Sequence, residues 1–324
     1  MKRLLAAAAR RRLGPLGPLA GLVAVYGLFA LIGPDSFTSA RTLETMARQT
    51  AIVGTAALGM TLVIIAGGID LSAGSVIALS TVAIASLLQL GLGPLAAAVG
   101  GVLAGLACGL VNGLLISRLR MVPFIVTLGT LLVVRGLAKG LAHEQKIDAP
   151  LTWLMELLAA LRPGQRWLLA PAGVWLMVAA AAVVAGLLRY TRLGRHIFAV
   201  GSNEANARLA GVAVERVKLT VYALSAGFAG LAGVMQFSRL TVGDPTVAMG
   251  LELDVIASVV IGGGSLSGGE GSVAGSVIGA LIMTVIRAGC SQMGLPNWVQ
   301  EMVTGGIIVL AVALDRVRHR RGGA

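Results

Sequence analysis

The 324-residue sequence has little charge, few aromatic side chains and almost no cysteine. Charged residues make up 12% of it, about half the share in a typical soluble domain. This composition excludes an ordinary soluble enzyme. The two cysteines, Cys108 and Cys290, lie in apolar stretches. They are too few for a disulfide framework or a metal site, and we interpret them as small buried hydrophobic residues.

The sequence also lacks the motifs of several enzyme classes. It contains no GxxxxGK(S/T) pattern, so we expect no P-loop nucleotide site. His143 and Glu144 stand without the second histidine of an HExxH zinc site. No two carboxylates share an apolar stretch at helical spacing, as an intramembrane aspartyl protease would need. We therefore expect no catalytic residue, no metal and no cofactor in this chain.

Long apolar runs dominate the sequence instead. Hydrophobic residues make up 56% of it, and glycine occupies 45 positions. The net charge of +12 raises the question of nucleic-acid binding. However, stretches such as 13–34 carry no charge at all, which is typical of membrane spans. The prediction is an all-α polytopic membrane protein of closely packed helices, with the lipid bilayer and no nucleic acid as its partner.

About ten transmembrane helices are expected. Long apolar stretches, all free of charge except 121–141, predict seven of them: 13–34, 51–69, 71–117, 121–141, 167–188 and 219–238. The stretch 71–117 is long enough for two spans, separated by a turn at 91–94. The Gly-rich remainder holds shorter apolar pieces. There we predict three broken or tilted spans, at about 251–264, 272–290 and 299–314.

The positions of lysine and arginine predict the orientation. Four segments hold 17 of the 26 Lys and Arg residues and only three acidic ones: 1–12, 118–120, 189–218 and 315–324. The positive-inside rule makes all four cytoplasmic, and ten crossings satisfy that arrangement with both termini inside. We expect a basic tail over 1–12, a single transmembrane domain over 13–314 and a second basic tail over 315–324. A near-neutral periplasmic loop is expected at 142–166.

The first candidate site is the sequence GGIDLS from Gly67 to Ser72, where two glycines interrupt an apolar run. Asp70 is the only charged residue between positions 51 and 117. A charge at a helix break is a functional candidate because an unpaired charge in hydrocarbon is costly. The structural alternative is that Asp70 or Ser72 caps the next helix. The residues proposed for a translocation pathway or gate here are Thr61, Gly67, Gly68, Asp70, Ser72 and Ser75.

The second candidate site lies in the polar segment 191–218. Asn203 can cap a short helix with Glu204 in its first turn, and Gly211 can end that helix. Such a helix can dock into a groove of a soluble partner or lie on the membrane surface. The residues alone do not choose between these two roles. The candidate docking residues are Asn203, Glu204, Ala205, Ala207, Arg208 and Gly211.

The third candidate site is the Gly-rich stretch Ile261–Ile282. Two GxxxG spacings, 264–268 and 275–279, favour close packing of helix backbones, with a pore lined by exposed backbone as the alternative. The sequence GGGSLS at the start of this stretch is weakly similar to GGIDLS. An internal repeat and chance similarity explain this equally well. The candidate pathway residues here are Ser258, Gly263, Gly264, Ser265 and Ser267.

Two basic residues, Arg135 and Lys139, lie four positions apart near one end of the predicted fifth span. Long basic side chains near a span end can extend to the membrane interface. The alternative is that they contact acidic residues of a periplasmic partner.

Five ordered stretches carry a resemblance to a known family: Ala57–Ser75, Val111–Ser117, Pro123–Ala138, Gly201–Lys218 and Val259–Ser272. Together they resemble the permease subunits of ATP-binding-cassette importers for ribose and related monosaccharides. The larger family also includes branched-chain amino-acid permeases. The similarity runs from about Arg48 to Arg316, which is most of the chain. GGIDLS and SLSGG look more like the monosaccharide branch.

The resemblance implies partners and a cell compartment. A periplasmic sugar-binding protein would deliver a ribose-like sugar to the outer face of a bacterial inner membrane. This chain and a second permease subunit, either a copy or a homologue, would form the pathway. Two ATPase subunits would bind and hydrolyse ATP, so this chain would be no enzyme. The alternatives are an importer of another small solute such as an amino acid and, at lower weight, a stand-alone secondary transporter.

The resemblance also assigns a role to the segment 189–218, which corresponds to the coupling loop that docks into the ATPase subunit. The usual pattern there is E-A-A-x-x-x-G. With Gly211 as its glycine, only Ala207 and Gly211 match, and Glu204 is one place early. The resemblance implies docking, but this mismatch means that it does not by itself imply a contact by Glu204. The Gly-rich breaks at 67–68 and 262–264 are expected hinges.

Overall fold

The computed structural model describes residues 16–322, which form twelve α-helices and one two-stranded sheet. The helices, numbered α1 to α12 in chain order, are Leu16–Ile32, Ala40–Ile65, Ala73–Gln89, Pro94–Arg118, Pro123–Leu141, Ala172–Tyr190, Arg192–Ser202, Glu204–Leu209, Val214–Leu240, Leu251–Ile261, Val273–Gln292 and Asn297–Gly322. Strands β1 (Ile147–Asp148) and β2 (Val242–Gly243) pair antiparallel. The predicted all-α architecture is confirmed.

Six of these helices are long and apolar enough to cross a membrane: α2, α4, α5, α6, α9 and α11. Helices α1 and α3 are apolar but have only 17 residues each. The turn predicted at 91–94 separates α3 from α4, and Gly91 adopts φ +81° there. Helix α10, with 11 residues, is about 16 Å long and covers only half of a 30 Å hydrocarbon core. This agrees with the expectation of short or broken helices in the Gly-rich part.

Helix α2 lies at the centre of the bundle. In its most apolar 18-residue window, 89% of the residues are buried inside the protein. It has 26 residues and is therefore about 39 Å long. The ends of α2 mark the two ends of the molecule, which we call the sheet end, near Glu44, and the coupling end, near Ile65. Glu44 accepts a hydrogen bond from the backbone N–H of Leu161, which places the 142–171 connection at the sheet end.

Glycines allow α4 and α9 to pack with their backbones nearly touching. A Cβ at Gly105 would lie 3.0 Å from Cα of Gly230, and one at Gly109 would lie 2.9 Å from Cα of Ala223. A Cβ at Gly113 would lie 2.9 Å from Cα of Leu219. Glycine at every fourth position puts one smooth stripe on α4, which is how helices associate where no water drives them together. This packing fixes α4 beside the first candidate site.

The segment 241–250 turns back into the bundle instead of leaving it. Gly243 packs against α3, where a Cβ would lie 3.1 Å from Cα of Val82. Further on, Arg135 Nη1 donates to the carbonyl oxygens of Pro245 and Val247, at 2.9 and 2.7 Å. Irregular backbone inside a membrane protein is tolerated only where protein groups satisfy it. The interpretation of Arg135 as a side chain extending to the membrane interface is therefore wrong, since its guanidinium satisfies these carbonyls.

Two boundaries differ from the expected organisation. The segment 315–324, expected as a basic tail, continues α12 as a helix up to Gly322, so the tail is not separate from the last span. The segment 189–218, expected as a loop with one short helix, contains α7 and α8, and α9 begins at Val214. The predicted basic tail 1–12 lies outside the described residues.

Candidate functional site

The first candidate site begins where α2 ends. Gly67 adopts φ +79°, a left-handed conformation that only glycine adopts without strain. Its N–H donates to the carbonyl of Ile64 at 3.0 Å, and the N–H of Gly68 donates to the carbonyl of Val63 at 2.9 Å. This pair of bonds is the Schellman motif that closes many helices. The two glycines therefore terminate α2, as the sequence predicted.

Asp70 lies beyond this cap, almost fully buried. Its Oδ1 accepts hydrogen bonds from the backbone N–H and the hydroxyl of Ser72, at 2.9 and 2.6 Å. Its Oδ2 accepts from the hydroxyl of Ser225 at 3.4 Å, and Asn112 Nδ2 donates to Ser72 Oγ at 3.0 Å. Among residues 16–322, Asp70 forms no salt bridge. The capping interpretation predicted that Asp70 or Ser72 accepts from the first N–H groups of the helix. The carboxylate of Asp70 instead holds the N–H of Ser72, the residue that precedes α3, and so orders the turn that leads into the helix.

The backbone of the same segment is held from two further helices. The hydroxyls of Tyr222 in α9 and Thr127 in α5 both donate to the carbonyl of Ile69, each at 3.3 Å. A side chain on Gly68 would collide with the Tyr222 hydroxyl. Helices α4, α5 and α9 thus share the task of positioning the GGIDLS segment, and a shift of any one of them would move it.

The second Gly-rich break is closed in the same way as the first. Gly263 adopts φ +92°, its N–H donates to the carbonyl of Val260 at 2.9 Å, and the N–H of Gly264 donates to that of Val259 at 2.8 Å. These bonds again form a Schellman motif, at the end of α10. The sequence echo between GGIDLS and GGGSLS therefore corresponds to a shared local structure. The spacing 264–268 is part of a loop, so its interpretation as a helix-packing motif is wrong.

The spacing 275–279, in contrast, packs helices α10 and α11 closely. A side chain on Gly279 would overlap the carbonyl oxygen of Ser258, and one on Gly275 would overlap that of Gly262. This agrees with the close-packing interpretation.

The two breaks meet each other at the coupling end. The N–H of Gly269 donates to the carbonyl of Ile65 at 2.8 Å, which satisfies one of the free carbonyls at the end of α2. A Cβ at Gly268 would lie 2.9 Å from Cα of Gly67. Gly201, in the last turn of α7, packs between them: its Cβ would overlap the carbonyl oxygen of Ile65 and lie 2.7 Å from the nitrogen of Gly269. We call this contact of Gly201, Ile65 and Gly268–Gly269 the glycine junction.

Helices α7 and α8 carry the second candidate site. Thr191 caps α7 by accepting from the N–H of Gly194 at 3.1 Å, and Ile197 and Val200 bury its apolar side. Asn203 caps α8 by accepting from the N–H of Asn206 at 2.8 Å, as predicted. Gly211, at φ +82°, ends α8 as predicted. Of the six predicted docking residues, Ala207 is buried and the others, Asn203, Glu204, Ala205, Arg208 and Gly211, are exposed.

Charged groups tie α8 to the start of α9. Glu204 pairs with Lys218 at 2.7 Å and with Arg208 at 3.3 Å, and Arg208 also pairs with Glu215. The hydrogen bond from Lys218 holds the pKa of Glu204 below its usual range, with a smaller contribution from Arg208. Glu204 is therefore ionised at neutral pH, and its carboxylate is engaged within the chain by Lys218 and Arg208.

Of the remaining predicted pathway residues, Thr61, Ser75, Ser258 and Ser265 are buried, whereas Ser267 is exposed in the loop of the second break. Thr61 donates to Ser276 Oγ at 2.7 Å, which joins α2 to α11. Ser258 donates to the carbonyl of Asp254 at 2.7 Å within α10. The Ser75 hydroxyl is buried and has no hydrogen-bond partner among the described residues. The backbone N–H of Ser267 donates to Ser265 Oγ at 3.3 Å inside the second break.

Some of the predicted residues share one cavity. Gly67, Gly68 and Ser267 from the two breaks line a space of about 230 Å³ together with Asn203 and Glu204 of the coupling segment. The structure thus brings pathway candidates and docking candidates together at the coupling end, whereas Thr61, Ser75 and Ser258 are fully buried.

Sequence reasoning missed several residues that complete this arrangement. Gly201, Gly268 and Gly269 form the glycine junction, and Asn112 and Tyr222 hold the first break. Asn112 is a signal that could have been used, since it is a polar residue inside the long charge-free run 71–117. The glycines give no such signal, because the chain contains 45 of them.

Comparison with known proteins gives one family and several relatives. The family model described as branched-chain amino acid transport system / permease component matches residues 42–312. The ribose import permease protein of Escherichia coli K12 is 36% identical over 301 residues, which cover 93% of each chain. The ribose import permease protein of Bacillus subtilis is 39% identical over 302 residues, covering 93% of this chain and 92% of its own.

A third relative carries another sugar in its name. The L-arabinose ABC transporter permease protein of Azospirillum brasilense is 36% identical over 297 residues, covering 92% of this chain and 86% of its own. No solved structure matches the chain.

Proposed function

Since the chain belongs to the branched-chain amino acid transport system / permease component family, we propose that it is the transmembrane permease subunit of an ATP-driven importer for a monosaccharide. It forms the pathway and performs no chemistry. The observation that carries the proposal is the similarity to ribose and arabinose permeases over more than nine-tenths of the chain.

In this proposal the chain crosses a bacterial inner membrane ten times with both termini in the cytoplasm. Eight crossings correspond to α1 to α6, α9 and α11, and the short α10 and the long α12 supply the other two. The distribution of Lys and Arg supports this orientation. The coupling end then faces the cytoplasm and the sheet end faces the periplasm, where a sugar-binding protein would dock.

Coupling to ATP hydrolysis is proposed at α7 and α8. The exposed residues of α8 present a surface to an ATPase subunit, which holds the ATP. Gly201 at the end of α7 contacts the ends of α2 and α10–α11 through backbone atoms. Because backbone contacts this close cannot be relieved by side-chain rotation, a displacement of α7 by the ATPase would move both breaks. The breaks would act as the hinges of the pathway.

The experiment that tests the proposal isolates the tagged chain from detergent-solubilised native membranes and identifies its partners by mass spectrometry. We expect an ATPase subunit and a periplasmic binding protein. The purified complex is then reconstituted in vesicles, and uptake of radiolabelled ribose, L-arabinose and leucine is compared. ATP-dependent uptake of a sugar supports the proposal.

An amino-acid importer is the second candidate, because the family model carries branched-chain amino acids in its description. Uptake of leucine without sugar uptake would select it. Recovery of the chain alone, with uptake independent of ATP, would instead select a secondary transporter and contradict both importer assignments.

A further inference from the structure

A second polar cavity opens at the sheet end, far from the glycine junction. It has a volume of about 390 Å³ and is lined by residues of α2, α9, α10, α11 and α12. Pockets that bind small molecules are typically of this size. None of the residues discussed above as pathway candidates lines it.

Polar atoms without partners in the described part of the chain lie on its inner wall. Gln236 of α9 is 6% exposed, and its amide forms no hydrogen bond with any described residue. Asp254 of α10 uses Oδ2 to pair with Arg287 at 2.6 Å. Its other oxygen, Oδ1, is buried and has no partner within residues 16–322. Buried polar groups are nearly always hydrogen-bonded, so the free Asp254 oxygen points to a ligand or water in the cavity, where the unbonded Gln236 amide can also reach it.

Arginines surround the mouth of the same cavity. Arg41, Arg239 and Arg287 line it and are exposed, while Asp254 is the one carboxylate among its described lining residues. The guanidinium of Arg239 forms no ion pair or hydrogen bond in the described part of the chain, so its donors are free. The wall thus offers strong donors at the mouth and both a donor and an acceptor inside.

The chemistry of this wall selects a class of ligand. An anion would meet the buried carboxylate of Asp254, and a cation would meet three arginines. A zwitterionic amino acid would need a carboxylate for its ammonium group, and Asp254 is already paired with Arg287. A neutral ligand rich in hydroxyls fits both sides, because a hydroxyl donates to Asp254 Oδ1 and accepts from the Gln236 amide or from Arg239.

We propose that this cavity is a substrate site of the permease, in which Gln236, Asp254 and Arg239 hydrogen-bond the hydroxyls of the transported monosaccharide as it enters from the sheet end. The inference rests on the proposed function and deepens it. The substrate site and the coupling segment then lie at opposite ends of the molecule. Helix α2 connects them, because it lines the site at Gln49 and contacts the glycine junction at Ile65.

The first test uses the complete complex in vesicles, with the sugar that the wild-type complex imports. Gln236→Leu removes the amide and keeps the size of the side chain. We expect it to lower the initial rate of sugar uptake about tenfold, the effect of a lost hydrogen bond to the substrate, while ATP hydrolysis stays near the wild-type rate. Gln236→Asn should recover part of the uptake. The control is Gln145→Leu at an exposed loop position, which should change neither rate.

The second test does not depend on that variant assembling. Thr45 is exposed at the cavity wall, so Thr45→Cys provides a thiol whose alkylation reports occupancy. We expect the imported sugar to slow alkylation of this thiol and leucine to have no effect, while Gln145→Cys reacts equally with and without sugar. The proposed site would be overturned if the Gln236→Leu complex imported sugar at the wild-type rate and the sugar did not slow alkylation of Thr45→Cys. Sugar import itself would then still stand. A wild-type complex that imports no sugar would instead overturn the proposed function.

Discussion

The glycine junction gives the sharpest test of how α7 communicates with the pathway. A methyl group at Gly201 would overlap the carbonyl oxygen of Ile65 and lie 2.7 Å from the nitrogen of Gly269. Both neighbours are backbone atoms, so the strain cannot be relieved by a rotamer change. Gly201→Ala must therefore push α7 away from α2 and from the second break, and in doing so separate the Gly269 N–H from the Ile65 carbonyl.

The size of the effect follows from three contributions. Overpacking costs about 2 kcal/mol, and the broken hydrogen bond with its unsatisfied groups costs about 2 kcal/mol. Alanine is a better helix former than glycine by about 1 kcal/mol, which offsets part of this. The expected net loss is about 3 kcal/mol of the free energy that holds α7 against the two breaks.

The assay combines thermal unfolding of the complex in detergent with transport and ATP hydrolysis in vesicles. We expect Gly201→Ala to unfold at a lower temperature and to import less sugar for each ATP hydrolysed. The matched control is Gly129→Ala in α5, where a Cβ meets no atom within 4 Å. The control should unfold at the wild-type temperature or slightly above. Wild-type stability and transport in Gly201→Ala would refute the junction as a mechanical link.

Three further predictions concern the two breaks and the coupling segment. Gly211→Asp should leave the chain in the membrane but uncouple it from the ATPase, whereas Gly211→Asn, which has the same shape without the charge and tolerates φ +82°, should retain more coupling. Transport-linked ATP hydrolysis is measured in both variants, and a wild-type rate in Gly211→Asp would contradict the docking surface. Asp70→Asn retains an acceptor for Ser72 and should preserve most transport, whereas Asp70→Leu should lower the unfolding temperature and abolish transport. If the Asp70→Asn complex were stable and assembled but inactive, the negative charge itself would be required for transport. Because the pKa of Glu204 is lowered in the folded protein, its ion pairs stabilise the α8–α9 contact above pH 4.5, the ordinary pKa of the group, and this stabilisation is lost as pH falls through the lower folded pKa. The difference in thermal stability between wild type and Glu204→Gln, below about 1 kcal/mol because the pair is partly exposed, should therefore vanish in acid. A difference that grew in acid would contradict the ion pair.

Local helix signals were readable in the sequence because they depend on neighbouring residues alone. Asn203 and Gly211 delimit α8 as predicted, and Gly67 and Gly68 end α2. Capping residues and glycines with positive φ act within one turn, so their effect does not depend on the rest of the fold. The prediction for Arg135 was wrong because its interactions are not local. Its partners, the carbonyls of Pro245 and Val247, lie more than 100 positions away.

The candidate sites divide in the same way. The sequence located both Gly-rich breaks and the coupling segment, but it treated them as separate motifs. Their meeting through Gly201 and Gly269 depends on how α2, α7 and the second break pack. The polar cavity was missed altogether, because Gln236, Asp254 and Arg287 lie in three different helices. Each of the three is an ordinary polar residue until tertiary packing buries it beside the others.

The sequence by itself therefore determined that this is a helical membrane protein, where most of its helices begin and end, and to which family of permeases it belongs. Those properties follow from apolar length, from caps and turns, and from ordered motifs, all of which are local along the chain. Only the tertiary structure decided which breaks touch, what Arg135 satisfies and where unpaired polar groups face a cavity. Such contacts join residues far apart in the chain, and their energies depend on distances that no single stretch of sequence specifies.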